Sequence, residues 1–122
     1  MANVQKKISV VFFKNDRGSM PVRDWLLKLT QEDRKIIGGD IKTVEYGWPI
    51  GMPLSKPIGN GLYEVRSDLT QKTISRVFFT IYKNNMVLLH GFIKKDQKTP
   101  QKELNIARSR LKKFSQEKGG KK

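Results

Sequence analysis

LYEVRSD at residues 62–68, ISRVFFTIYK at 74–83 and MVLLHGFIK at 86–94 are the stretches that decide the fold. Each run is rich in β-branched and aromatic residues. They are separated by Leu69–Thr73 and by Asn84-Asn85, so they read as an antiparallel three-stranded meander. Adjacent asparagines accept the positive φ that a type I′ turn needs, and a two-residue turn there predicts Arg76 opposite Ile93. Alternation sets Leu62, Glu64, Arg66 and Asp68 on one face of their strand and Tyr63, Val65 and Ser67 on the other. In the next strand Ile74, Arg76, Phe78, Thr80 and Tyr82 share a face, with Val77, Phe79 and Ile81 as an apolar row behind them. Arg76 is therefore a charge among apolar neighbours, an expensive position without a partner. Glu64 and Asp68 are the carboxylates placed to supply one.

Upstream, Ile8–Phe13 reads as a first strand closed by Asn15-Asp16-Arg17-Gly18. Pro21 opens a helix whose Val22, Trp25, Leu26 and Leu29 form one apolar stripe. Thr30 to Asp33 resembles a capping box for a second helix that buries Ile36, Ile37, Ile41 and Val44 and stops at Gly47 ahead of Pro49. Residues 48–61 hold three Pro and three Gly and read as a loop over the core edge. Downstream, Thr99 and Pro100 look like the N-cap and first position of a last helix. Leu104, Ala107, Leu111 and Phe114 give that helix its buried stripe, and Lys102, Arg108, Lys112 and Lys113 its basic face. Residues 115–122 read as a frayed basic tail. With 122 residues and no dividing linker, the chain is expected to be one domain, 1–122.

Lys and Arg outnumber Asp and Glu by 25 to 11, and a pI near 10.2 gives a surface field that attracts polyanions. Nucleic acid or a ribosome is the leading partner class. There is no Cys and one His, which removes disulfides and thiolate metal sites and speaks against zinc. The apolar run near the N-terminus is too short for a signal segment and no stretch has the length of a membrane span, so a cytoplasmic protein is expected. No phosphate-binding Gly loop, nucleophile elbow or Ser/His/Asp set is present.

The strongest chemical signal is convergent positive charge. Arg66 and Arg76 on neighbouring strands, followed by the hook Lys94-Lys95-Asp96-Gln97-Lys98, form a candidate anion site. Guanidinium and ammonium groups stabilise the extra charge of a pentacoordinate phosphorane. Metal-free RNA cleavage also needs a base for the 2′-hydroxyl and an acid for the departing 5′-oxygen. Glu64 is the candidate base, with Lys94, Lys95 or Tyr63 as donor or phosphate ligand. His90 either faces the site or is a hydrogen-bonded core residue. Lys98, Tyr63, His90, Lys102, Arg108 and Lys112 are the candidate RNA contacts. A magnesium nuclease would need several convergent carboxylates, and Asp40 is the only upstream partner for Glu64, so neither metal nor cofactor is expected.

Strand, two helices, meander and basic C-terminal helix, with LYEVR and HGFIKKDQKTP as the most specific segments, resemble the RelE/ParE toxin superfamily and within it the HigB-type, phage-related branch. The resemblance runs from about Ile8 to Phe114. It implies an α+β fold: a small twisted antiparallel sheet, N-terminal strand plus meander, packed against two N-terminal helices, with a basic C-terminal helix. It further implies the toxin of a type II toxin–antitoxin system, a ribosome-dependent endoribonuclease that cuts mRNA in the ribosomal A site. A co-encoded antitoxin, often a helix-turn-helix protein, would neutralise it. By that resemblance Arg66 matches the Arg ending the second strand, Arg76 the Arg opening the third, and Lys94 and Lys95 the basic pair after the fourth. Relatives often carry a Tyr or His after that pair, where this chain has Lys98-Thr99-Pro100-Gln101. Two other functions suit the same fold and charge: a ParE-like inhibitor of DNA gyrase without RNA cleavage, and a basic nucleic-acid-binding module without activity.

Overall fold

A computed structural model describes residues 5–94 and 99–118. Strand β1 (Ser9–Phe12) leads into helices α1 (Pro21–Leu27) and α2 (Gln31–Gly47). Strands β2 (Ser55–Gly59), β3 (Leu62–Asp68), β4 (Ile74–Tyr82) and β5 (Asn85–Lys94) follow, then helix α3 (Gln101–Glu117). The sheet order is β1-β5-β4-β3-β2, with β1 parallel to β5 and all other pairs antiparallel. The α+β class and the β3–β5 meander match the sequence reading. The sheet differs from it in being five-stranded and mixed.

β2 lies inside the stretch expected to be a loop. Pro57 has no N–H to donate, which fits an edge strand that pairs with β3 alone. Gly59 faces Leu62 across a two-residue turn, Asn60-Gly61, with φ of 54° and 82°. Asn-Gly with positive φ at both positions is the strongest short hairpin signal. The direction of β1 was equally hidden, because alternation fixes which face of a strand is buried but not its polarity. β1 is tied to α2 by Glu45, whose Oε2 accepts from Val10 N at 2.7 Å and whose carbonyl accepts from Lys7 and Ile8.

The turn between β4 and β5 sits one residue earlier than expected. Lys83 and Asn84 take φ of 48° and 65°, and Tyr82 pairs with Asn85. A bulge at Leu89, between the pairs Phe79–Leu88 and Phe78–His90, restores one residue, so Arg76 faces Phe92 and not Ile93. At the helix ends, Thr30 Oγ1 accepts from Asp33 N at 3.1 Å, as a cap should. Asp33 does not reciprocate; its carboxylate accepts from Thr70 N and Thr70 Oγ1. α3 starts at Gln101, with Pro100 as an extended N-cap whose carbonyl receives Glu103 N and Leu104 N, one step beyond the expected Thr99 cap. The expected frayed end is helical through Glu117, and residues 119–122 lie outside the described ones.

Apolar clusters cover both faces of the sheet. Val22 of α1 and Ile37, Ile41 and Val44 of α2 pack on Val65, Val77 and Phe79. On the other face Ala107 and Phe114 of α3 pack on Leu62, Phe78, Leu89 and Phe92. Val77, Phe78 and Phe79 are all fully buried, as expected for a central strand covered on both faces. Among the described residues no helix is long and apolar enough to cross a membrane.

Gly91 lets α1 approach the sheet. A Cβ there would stand 2.5–2.9 Å from three ring atoms of Trp25. Because the obstacle is a rigid indole, Gly91→Ala is expected to lower stability by about 1–3 kcal/mol, measured by urea unfolding with indole fluorescence as the probe.

Candidate functional site

The α3-side face of the sheet changes character toward the far end of β3 and β4. Leu62 and Phe78 belong to the core, whereas Glu64, Arg66 and Arg76 line a cleft of about 260 Å³. Met52, Pro53 and Leu54 wall it, and Lys56 of β2, the cross-strand partner of Glu64, adds a third cation. The segment before β2 is fixed by Arg66 N donating to Leu54 O at 2.9 Å. Lys56 went unnoticed in the sequence because residues 48–61 read as loop. The hairpin signal at Asn60-Gly61 would have brought it onto the strand, facing the same way as Glu64.

Arg76 is 6% exposed and Glu64 3%, and the two form a buried ion pair through Arg76 Nη1 and Glu64 Oε2. Arg66 lies directly opposite Arg76 in the ladder. Like charges facing each other across strands cost stability, so this arrangement is one that packing alone would not select. Arg66 is one-third exposed and reaches Asp68 at 3.5 Å, a carboxylate that is itself 83% exposed. Two buried polar atoms here have no hydrogen-bond partner among the described residues: Glu64 Oε1, an acceptor, and Arg66 Nε, a donor. The cleft thus offers three cations against one carboxylate, together with a spare donor and a spare acceptor. That chemistry suits a phosphodiester carrying a neighbouring hydroxyl.

A second hollow on the far side of Arg66 is lined by Asp40, Asp68, Pro53 and Leu54. Asp40 therefore lies near Arg66, while Glu64 faces the first cleft. Among the described residues no group of three His, Asp or Glu side chains is placed to hold a metal ion.

The remaining sequence candidates divide by position. Lys94 ends β5 on the same face, paired with Ile74 and so two ladder pairs beyond Arg76–Phe92. Lys95 and Lys98 fall outside the described residues. Tyr63 is on the opposite face, edge-on to Trp48 at 5.0 Å and stacked on Phe79 at 5.5 Å, because alternation turns it away from Glu64 and Arg66. It is not brought to the cleft. Lys102 and Lys112 are exposed on α3 and Arg108 is half-buried there.

His90 takes the core-like arrangement. Its Nε2 lies 2.6 Å from Glu103 Oε1, and its Nδ1 lies 3.3 Å from Arg110 Nη1, which also donates to Leu89 O at 2.8 Å. Since guanidinium only donates, Nδ1 accepts and the proton sits on Nε2, giving a neutral ring. Burial is the main force holding the His90 pKa below the usual imidazole value; the Glu103 hydrogen bond opposes it and the Arg110 charge adds to it. A base with a lowered folded pKa contributes stability above the unfolded value of about 6.5 and loses it as pH falls through the folded value. Urea unfolding should therefore show the protein weakening from pH 7.5 toward 5.5, with a shallower decline in His90→Gln.

A family model described as phage-derived protein Gp49-like (DUF891) matches residues 24–112, well over half of the chain. No curated protein matches it. The chain belongs to the Gp49-like family, part of the RelE/ParE-like toxin–antitoxin superfamily. Toxins of such systems are associated with this family, and a cognate antitoxin is the partner it implies.

Proposed function

We propose that this Gp49-like protein is a HigB-type toxin that cuts mRNA in the ribosomal A site by metal-independent chemistry. The observation that carries the reading is the convergence of Lys56, Arg66 and Arg76 in one cleft around Glu64, with Lys94 on the same face. In this scheme Arg66 and Arg76 hold the non-bridging oxygens of the scissile phosphate. Lys56, Lys94 and Lys95 add charge as the phosphorane forms. Glu64, through Oε1, accepts the proton of the 2′-hydroxyl as its oxygen attacks phosphorus. The 5′-oxygen leaves with a proton from a lysine ammonium, giving a 2′,3′-cyclic phosphate and a 5′-hydroxyl. Lys98, Lys102, Arg108 and Lys112 contact flanking backbone, and a helix-turn-helix antitoxin is the neutralising partner in the cytoplasm.

The test is to induce the protein and map mRNA 5′ ends. New coding-region ends bearing 5′-hydroxyls, lost when translation is blocked beforehand, are expected. Intact messages with a DNA-damage response would instead indicate gyrase inhibition, and 5′-phosphate ends would exclude the 2′-hydroxyl route.

A further inference from the structure

On the opposite edge of the sheet a second cleft, of about 330 Å³, opens between the turn after β1 and the middle of α3. Its polar lining is Asn15, Asp16, Arg17, Ser109, Arg110 and Lys113. Lys113 Nζ lies 2.6 Å from Asp16 Oδ2, with both groups exposed, so three cations stand against one carboxylate. Arg110 is the unusual member. It is half-buried, it donates to Leu89 O and His90 Nδ1, and it has no carboxylate within ion-pair distance among the described residues. Asn15 Oδ1 accepts from Arg17 N and Ser19 N, which fixes the loop that presents Arg17.

We propose that this cleft is a second phosphate-binding site, which takes a backbone phosphate of RNA several nucleotides from the one held between Arg66 and Arg76. A partly desolvated guanidinium without a carboxylate partner carries a cost, and an anion from outside lowers it. The pKa of Arg110 is lowered by burial alone, as expected where no carboxylate compensates. The place also suits a strand of nucleic acid. β1 and β3 are three ladder steps apart, about 14 Å at the usual strand spacing. α3 covers the sheet between them and turns Lys102 and Lys112 outward, so a strand leaving the first cleft crosses cations before it reaches Arg17 and Arg110. An acidic peptide would meet the same charges, but a phosphate backbone can engage both clefts and the exposed lysines of α3 at once.

The inference rests on RNA being the partner, and its test does not depend on cleavage. A 2′-O-methyl RNA oligonucleotide, which cannot be cut by 2′-oxygen attack, is titrated against wild type and the Arg17→Ala/Lys113→Ala double variant over a salt series. Each single-strand phosphate contact contributes about 0.7 to the log-log slope, so the double variant is expected to be shallower by about 1.4. Lys28→Ala/Lys42→Ala, which removes two exposed cations, one just after α1 and one in α2, is expected to keep the wild-type slope. Inorganic phosphate should shift the amide resonances of Arg17, Ser109 and Arg110, and should do so equally in an Arg66→Ala background. An unchanged slope in the first double variant, equal slopes lost in both, no phosphate-induced shift, or occupation by a Glu-rich peptide but not RNA would each overturn the second site. If no variant cuts mRNA in cells while the slope falls as stated, the nuclease reading fails and this site stands.

Discussion

Arg76→Ala is expected to abolish toxicity and, in addition, to destabilise the protein by about 3–5 kcal/mol. The second effect follows from burial. Glu64 is 3% exposed and its Oε2 is paired with Arg76, so truncating the arginine leaves a buried carboxylate beside an apolar strand. Inactivity of that variant would therefore not separate lost chemistry from lost folding. The informative variant is Glu64→Leu with Arg76→Met, which removes both charges and keeps volume close to that of the pair. Replacing a buried ion pair by apolar residues is often neutral or stabilising. Urea unfolding should place the double variant near or above wild type, well above Arg76→Ala, while mRNA cleavage stays absent. A double variant that is folded and still toxic would remove Glu64 and Arg76 from the chemistry altogether.

That the pair was recognisable from sequence reflects how simple strand geometry is. Period-two alternation turned Glu64, Arg66 and Asp68 the same way and left Arg76 among apolar residues in need of Glu64 or Asp68, and the ladder, pairing Arg66 with Arg76, brings all of them to one face. Long-range features were not legible in the same way. Pro57 and the glycines around it made 48–61 look like a loop, and this outweighed Asn60-Gly61, so β2 and Lys56 were lost together. The register of β4 against β5 depended on which residue adopts positive φ. Lys83 did so alongside Asn84, and the bulge at Leu89 then shifted the ladder again. The polarity of β1 depends on where the rest of the chain ends, and no local pattern encodes that. The second cleft joins Arg17 to Arg110 and Lys113, segments that meet only because α3 crosses the sheet beside the end of β1.

Arg66 separates function from stability more cleanly than Arg76. Its side chain is one-third exposed and its ion pair, at 3.5 Å, is with an Asp68 that is 83% exposed. Exposed pairs of this kind contribute about 0–1 kcal/mol. Removing Arg66 also relieves its repulsion with Arg76 across the ladder, so Arg66→Ala should unfold within about 1 kcal/mol of wild type. Its cost to cleavage is expected to be large. A guanidinium aimed at a phosphate whose charge grows in the transition state acts as an oxyanion-hole donor does, and loss of one such donor costs about 10²–10³ in rate. Arg66→Lys keeps the charge but loses the two-pronged geometry and the Nε donor, so it should fall between wild type and Ala. Asp68→Ala frees the guanidinium from a competing carboxylate and should leave cleavage at or above wild type. Cleavage rates in a translating extract programmed with a single message would rank these variants. Because all three are expected to stay folded, equal rates for wild type and Arg66→Ala would mean that the scissile phosphate is held elsewhere.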